Sequence, residues 1–242
     1  MLYKSPIQIH ENVFVKMESR NPAGSHKARS ARFVIERAIS EGHLTPGGKR
    51  RILEKTGGNF GVGLAYEAGR HNIGVDLVIG LSFSRVKRNL CEHFGARIVG
   101  DDLLNEGKSP REVVEQYLAD GQNDYYFTDQ FNNPANLEAH TVETGPEIVR
   151  QIKDEVGDTD KQIILVKGAG TGASFSGIAA ALRETFANVA LHLVVPDGCD
   201  LQASKFVDHT IEGITVGILP PFLDLSQIDL FHSATRDMAI QG

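Results

Sequence analysis

Cysteine is almost absent from the sequence: Cys91 and Cys199 are the two among 242 residues, too few for a disulfide framework. No apolar run approaches the roughly 18 residues needed to cross a bilayer, and residues 1–10 lack the apolar core of a secretion signal. Basic charge is also short, with 25 Lys and Arg against 31 Asp and Glu and a net charge of -6. That excludes the cationic footprint which binding to a nucleic-acid backbone requires. These absences predict a cytoplasmic protein with no membrane or nucleic-acid partner. The composition, 41% hydrophobic and 23% charged, is that of a folded globular chain. What is plentiful is glycine: 25 residues, or about a tenth of the chain against a usual ~7%.

The glycines punctuate a regular alternation. Short runs rich in β-branched residues, at Val13–Met17, Arg51–Glu54, Val75–Ile79, Ala96–Val99, Tyr125–Phe127, Gln162–Val166 and Val189–Val195, read as strands. Between them, segments with helical spacing run over Lys27–Ser40, Asn59–His71, Ser84–Phe94, Pro110–Asp120, Asn136–Ile152 and Ser174–Phe186, with Gly42 and Gly95 placed as C-caps. Strand and helix in alternation predict an α/β fold with mostly parallel sheets, whose ligands bind at the carboxyl ends of the strands.

Three strand-to-helix loops carry chemistry. In Asn21-Pro22-Ala23-Gly24-Ser25-His26-Lys27, Pro22 keeps Asn21 extended, Gly24 permits a reversal and Ser25 is placed to cap the next helix. Lys27 then falls in the first helical turn, where the helix dipole disfavours an ammonium and helps the lysine act as a neutral amine. In Thr56-Gly57-Gly58-Asn59-Phe60-Gly61, backbone N–H groups at a helix start suit a carboxylate and Asn59 adds an amide for an oxygen. A Gly-rich packing turn explains this loop equally well. In Gly168-Ala169-Gly170-Thr171-Gly172-Ala173-Ser174, glycines, two hydroxyls and a helix start converge as for a phosphate, with Gly170 and Gly172 where backbone must approach a ligand. Gly168, Gly170 and Ala173 also match a dinucleotide fingerprint. However, Asp197 lies 29 residues beyond Gly168, against the ~20 expected of a ribose-binding acid, and that reading leaves the other loops without work. A lysine, an anion loop and a phosphate loop together suit a cofactor bearing an aldehyde and a phosphate, namely pyridoxal phosphate.

At this point the motifs resemble a known family. Asn21 to Lys27 with Arg29, Thr56 to Gly61, Gln130 to Asn136, Thr144 to Ile148, Gly168 to Gly177 and the later Gly213 to Leu225 stand in the order and spacing of the cysteine synthase and cystathionine β-synthase family of fold type II pyridoxal phosphate enzymes. The resemblance implies two three-layer α/β/α domains with the cofactor between them. Residues 1–33 and 142–242 would form the larger, phosphate-binding domain, and 34–141 the smaller one carrying the substrate loop. It implies that Lys27 forms an aldimine with the cofactor, that Asn59 meets its phenolic oxygen, and that Gly168, Gly170, Thr171, Gly172 and Ser174 hold its phosphate. Thr56, Gly57, Gly58, Phe60, Gln130 and Gly213 would face the substrate. The implied activity is β-replacement or β-elimination on an amino acid through an aminoacrylate, by a homodimer. A nicotinamide-dependent oxidoreductase using Gly168–Ala173 and a non-catalytic relative that binds a ligand or partner are the alternatives.

Two departures bear on the implied activity. Gly57 and Phe60 stand where the family usually has Ser and Thr, which implies an altered substrate choice. Family members also continue with a Ser-rich loop that meets the pyridine nitrogen, and nothing before Gly242 matches it, so the chain reads as a fragment or a short form. No histidines are spaced i, i+4, and no metal site is expected. Lys49-Arg50-Arg51 and Arg85, Lys87 and Arg88 read as solvated faces, and Cys91 as packing.

Overall fold

The structure, a computed structural model, describes residues 5–10, 12–56, 58–121, 124–157 and 160–241. Backbone contacts divide the chain into two units, 1–129 and 130–242. The division expected from sequence groups 1–33 with 142–242 and would cut a helix that runs unbroken from Lys27 to Ser40. That helix, α1, packs on α2 (Asn59–Arg70), and both fall in the first unit.

The first unit opens with an antiparallel hairpin of β1 (Ile7–His10) and β2 (Val13–Lys16). Its main sheet is built from β3 (Arg51–Lys55), β4 (Val75–Val78), β5 (Arg97–Ile98) and β6 (Tyr125–Phe127), all parallel, in the order β5-β4-β3-β6. Leu53, Val78 and Tyr125 on one face bury against Leu104 of α4 (Asp101–Asn105) and Val113 and Val114 of α5 (Pro110–Asp120). On the other face Gly61 of α2 lies against Leu77 and against Cys91 of α3 (Arg85–His93). Each such large aliphatic side chain removed from water contributes roughly 1.5–3 kcal/mol. The chain moves outward from β3 to β4 to β5 and then returns to the far side of β3 for β6, so the direction reverses between β3 and β6. In an open parallel sheet this reversal opens a crevice at the strands' carboxyl ends. The loop after β3 is the one that carries Thr56 to Phe60.

A buried carboxylate ties this sheet together. Asp76 on β4 is fully buried and accepts from Arg51 Nη2 at 2.6 Å, from Tyr125 Oη at 2.6 Å and from Arg97. Burial alone would raise its pKa, but the hydrogen bonds from Arg97, Arg51 and Tyr125 outweigh that and hold the carboxyl below its ordinary value. Arg51 is thus an ion-pair partner rather than part of a solvated face. Arg88 departs from expectation in the same way, pairing with Asp101 at 2.5 Å and donating to the Ile79 carbonyl at 3.1 Å.

The second unit contains α6 (Pro134–Ala139), α7 (Gly145–Val156), β7 (Ile163–Gly168), α8 (Ala173–Thr185), β8 (Val189–Pro196), β9 (Leu230–Ala234) and α9 (Arg236–Gln241). Its strands form a parallel sheet in the order β7-β8-β9. Phe175 and Ala179 of α8 pack on Leu191, Leu193 and Val195 of β8. The outward positions of the same sheet include Ile164, Val166 and Leu230, which are exposed, and the neighbouring rings of His192 and His232, 3.0 Å apart between ring nitrogens.

The helix expected over Asn136–Ile152 is interrupted by a π turn at His140–Thr144. Helix α8 crosses there at backbone contact: a Cβ on Gly177 would lie 2.6 Å from the Cβ of His140, and one on Gly145 would lie 2.6 Å from that of Ala181. The inserted residue of a π turn re-aims His140 into the interior, where its Nδ1 meets Thr144 Oγ1 at 2.9 Å.

Candidate active site

The lysine loop follows from its sequence with one addition. Asn21, ahead of Pro22, is extended (φ -66°, ψ 155°), and the reversal uses two successive left-handed residues, Ala23 at φ 60° and Gly24 at φ 70°. Gly24 adopts that conformation freely, whereas for Ala23 it costs about 1 kcal/mol. Ser25 does not occupy the N-cap, which is His26; its Oγ instead accepts from the Lys27 N–H at 3.2 Å. Strain in such a loop persists only when its surroundings over-determine it, and Glu18 provides that constraint. Its carboxylate accepts from Asn21 Nδ2 at 2.7 Å, from Ser5 Oγ at 2.5 Å, and from Arg29 Nε and Nη2 at 2.9 and 2.8 Å. Arg29 is fully buried. The chain entering the loop and the helix leaving it are therefore clamped on either side of Lys27. Sequence reasoning passed over Glu18 because a carboxylate and an arginine in different elements leave no periodic signal.

Helix α2 approaches the same turn at contact. A Cβ on Gly63 would lie 2.9 Å from the Lys27 carbonyl oxygen, so only glycine permits this crossing. One turn earlier, on the same face of α2, Phe60 is 2% exposed, and Lys27 Nζ stands 5.7 Å from the centroid of its ring. In the loop before α2, Thr56 Oγ1 accepts from the Gly58 N–H at 3.4 Å, and Gly58 is the N-cap. The side chain of Asn59 is exposed. Gly57 lies outside the described residues. Cys91 beneath this loop is an inert packing group: burial pushes its thiol up to about 11.

In the second unit, Gly168 to Ser174 link β7 to α8. Gly172 is left-handed at φ 87°, and the backbone amides of Gly170, Thr171, Gly172 and Ser174 make no hydrogen bond to the described residues. Thr171 and Ser174 are buried. Asn136 donates from Nδ2 to the Gln130 carbonyl at 2.7 Å and to Thr171 Oγ1 at 3.3 Å, which brings Gln130 to this loop. The segment 213–223 lies against it: Thr215 N–H donates to Ala169 O at 2.8 Å and Phe222 N–H to Thr171 O at 3.1 Å. A Cβ on Gly168 would meet Ile214 at 2.4 Å, one on Gly170 the Gly213 carbonyl oxygen at 2.7 Å, and one on Gly172 the Leu223 N at 2.9 Å. The close backbone approach expected of a ligand is thus made, at these glycines, by the chain itself.

A family model described as pyridoxal-phosphate dependent enzyme matches residues 3–237. The chain belongs to that family. A cysteine synthase of Staphylococcus aureus is 30% identical over 235 residues, covering 95% of this chain and 72% of the relative. Among solved structures, the O-acetylserine dependent cystathionine β-synthase of Helicobacter pylori matches with a TM-score of 0.82 and 30% identity, over 98% of this chain and 78% of that one. An O-ureido-L-serine synthase matches with a TM-score of 0.83 and 28% identity, over 98% and 75%. The structure fits the cofactor that the family name states. Uncommitted amides at the head of α8, 13 residues long, beside two buried hydroxyls, are the donor set a phosphate requires.

The nicotinamide alternative loses its ground. Asp197, its ribose-binding candidate, accepts from Ser233 Oγ at 2.8 Å across to β9. Among the described residues no group of three or more His, Cys, Asp or Glu side chains is placed to hold a metal ion, and none of the helices is long and apolar enough to span a membrane. A cavity of about 410 Å³ lined by Arg51, Asn72 and Phe94 lies at the amino ends of β3 and β4, and none of its lining residues belongs to these loops.

Proposed function

We propose that this chain uses pyridoxal phosphate to remove or replace the β-substituent of an amino acid, with Lys27 as its catalytic residue. The observation that carries the reading is the clamped lysine at the head of α1, in a chain whose β7–α8 loop offers the donors of a phosphate site. The bound cofactor supplies an electron sink conjugated to the substrate's α-carbon. Lys27 attaches the cofactor in the resting enzyme, and its freed amine takes the proton from the α-carbon. Gly168, Gly170, Thr171, Gly172 and Ser174 hold the phosphate, and Asn59 donates to the phenolic oxygen. Thr56, Gly57, Gly58, Gln130 and Gly213 receive the substrate, with Phe60 shaping that loop from its buried side.

The relatives' names point to the substrate class. Cysteine synthase, O-acetylserine dependent cystathionine β-synthase and O-ureido-L-serine synthase share a three-carbon amino acid with its changing group on the β-carbon. An O-substituted serine is accordingly the substrate we assign, in a cytoplasmic homodimer. The test is an absorption spectrum of the purified protein with pyridoxal phosphate, before and after borohydride, with peptide mapping of the reduced lysine. A visible imine band and a tag on Lys27, together with turnover of O-acetylserine or O-phosphoserine, are expected. A tag on another lysine removes Lys27 from its role, and a bound cofactor with no turnover favours the non-catalytic alternative.

A further inference from the structure

We infer that Phe60 is a positioning residue for Lys27: its ring face holds the lysine's ammonium whenever Nζ is not bonded to the cofactor. The inference rests on the reading of Lys27 as the cofactor lysine and gives Phe60, which that reading places on the buried side of the substrate loop, a role toward the lysine itself. Three observations carry it. The Nζ-to-centroid distance of 5.7 Å lies within the roughly 6 Å over which a cation is attracted to an aromatic face. The ring is 2% exposed and therefore fixed by the packing around it, so that the flexible partner is the lysine. The same face of α2 also presses Gly63 against the Lys27 carbonyl, which places the start of the lysine side chain and its amine on two successive turns of one helix.

The ring has a chemical consequence that an aliphatic side chain of similar size would lack. Position 27 in the first turn of α1 disfavours an ammonium through the helix dipole, and partial burial acts in the same direction. An aromatic face opposes both. With the cofactor bound as electron sink, breaking the substrate's α-carbon–hydrogen bond would leave the proton on Nζ. Over Phe60 that proton is held on nitrogen until it is returned to carbon. The titratable groups on the elements packed here are Arg29, Arg32, Glu36 and Arg37 on α1 with His26 at its N-cap, Tyr66, Glu67 and Arg70 on α2, and Glu18 and Arg20 in the preceding turn. Arg29 and Glu18 neutralise each other.

The experiment compares the wild type with Phe60→Leu in cofactor-free protein, following the pH dependence of Lys27 acylation by acetic anhydride with peptide mass mapping. Leucine keeps the site apolar and removes only the ring face. The midpoint is expected to fall by about half to one pH unit, making the lysine roughly three- to tenfold more reactive below it. If Phe60→Leu does not fold, Phe60→Met is measured in its place. A midpoint unchanged in the folded variant overturns the inference. Borohydride tagging of the wild type separates the two claims: a tag on a different lysine ends the functional reading and this inference with it. A tag on Lys27 with an unmoved midpoint ends the inference alone.

Discussion

Replacing Glu67 by glutamine should stabilise the protein at alkaline pH and flatten its pH profile. Glu67 faces inward from α2 with no exposed side-chain surface; its Oε2 accepts from Arg70 Nη1 at 3.1 Å, and its Oε1 is buried without a partner. Burial raises its pKa to about 7, and the nearby Arg70 only partly offsets this. Because that value lies above the ordinary carboxyl's 4.5, the folded chain holds more protons than the unfolded one between roughly pH 4.5 and 7. Stability must then fall as pH rises through that window. At about 1.4 kcal/mol per pH unit the full loss is at most about 3 kcal/mol, reached near pH 8. An amide has no charge to desolvate, so Glu67→Gln should recover most of it. Urea unfolding at pH 5, 6, 7 and 8 would measure the effect, with the variant's advantage growing across the series. A variant that is equally destabilised at every pH, or whose advantage is largest at pH 5, would refute the reasoning.

Two other changes test the framework around the site. Glu18→Gln leaves buried Arg29 without its counter-charge and should cost about 3 kcal/mol; thermal melting should show much of this restored in the Glu18→Gln, Arg29→Met double variant, and a loss that simply adds would rule out the clamp. Iodoacetamide at pH 8 should modify the half-buried Cys199 and spare Cys91, whose thiol stands near 11; a second adduct in the intact-protein mass would show that the packing around Cys91 opens.

The parallel sheets were legible because each buried strand carries an apolar run and each crossover helix begins within a few residues of a glycine. β3, β4, β6 and β8 lie within two residues of their expected bounds, and α1 and α5 coincide with theirs. The elements that escaped are those whose residues are not sorted by burial. β9, Leu-Phe-His-Ser-Ala, has partly exposed positions and follows residues 197–229, whose regular structure is a bridge between Asp200 and Lys205 and a 3-10 turn at Leu225–Gln227. β1 and α4 are short. The π turn at His140–Thr144 could not be read from spacing, because its cause is the crossing of Gly177 more than thirty positions away. The same holds for Glu18 with Arg29 and for Asp76 with Arg51: a buried charge is visible in sequence only when its partner is a neighbour on the same helix.

In the glycine-rich loop after β7, the fold uses the glycines differently from what their sequence pattern suggests. Glycine was expected at 170 and 172 because backbone must come close to a phosphate. In the fold, the space that their missing side chains leave is taken by Gly213, Phe222 and Leu223. A phosphate needs donors, and the donors are peptide N–H groups that any residue except proline would supply. What the glycines add is room for the 213–223 segment to bond the loop's carbonyls, at Ala169 and Thr171. With those oxygens engaged on one side, the N–H groups of the same peptides are turned to the other, where the head of α8 adds its own. In the function proposed above, the glycines shape the anion site indirectly, by letting a second segment fix the orientation of the loop's peptides. The motif and the later Gly213 to Leu225 stretch are two halves of one device, separated by about forty residues in the sequence and joined by backbone hydrogen bonds that no side-chain pattern encodes.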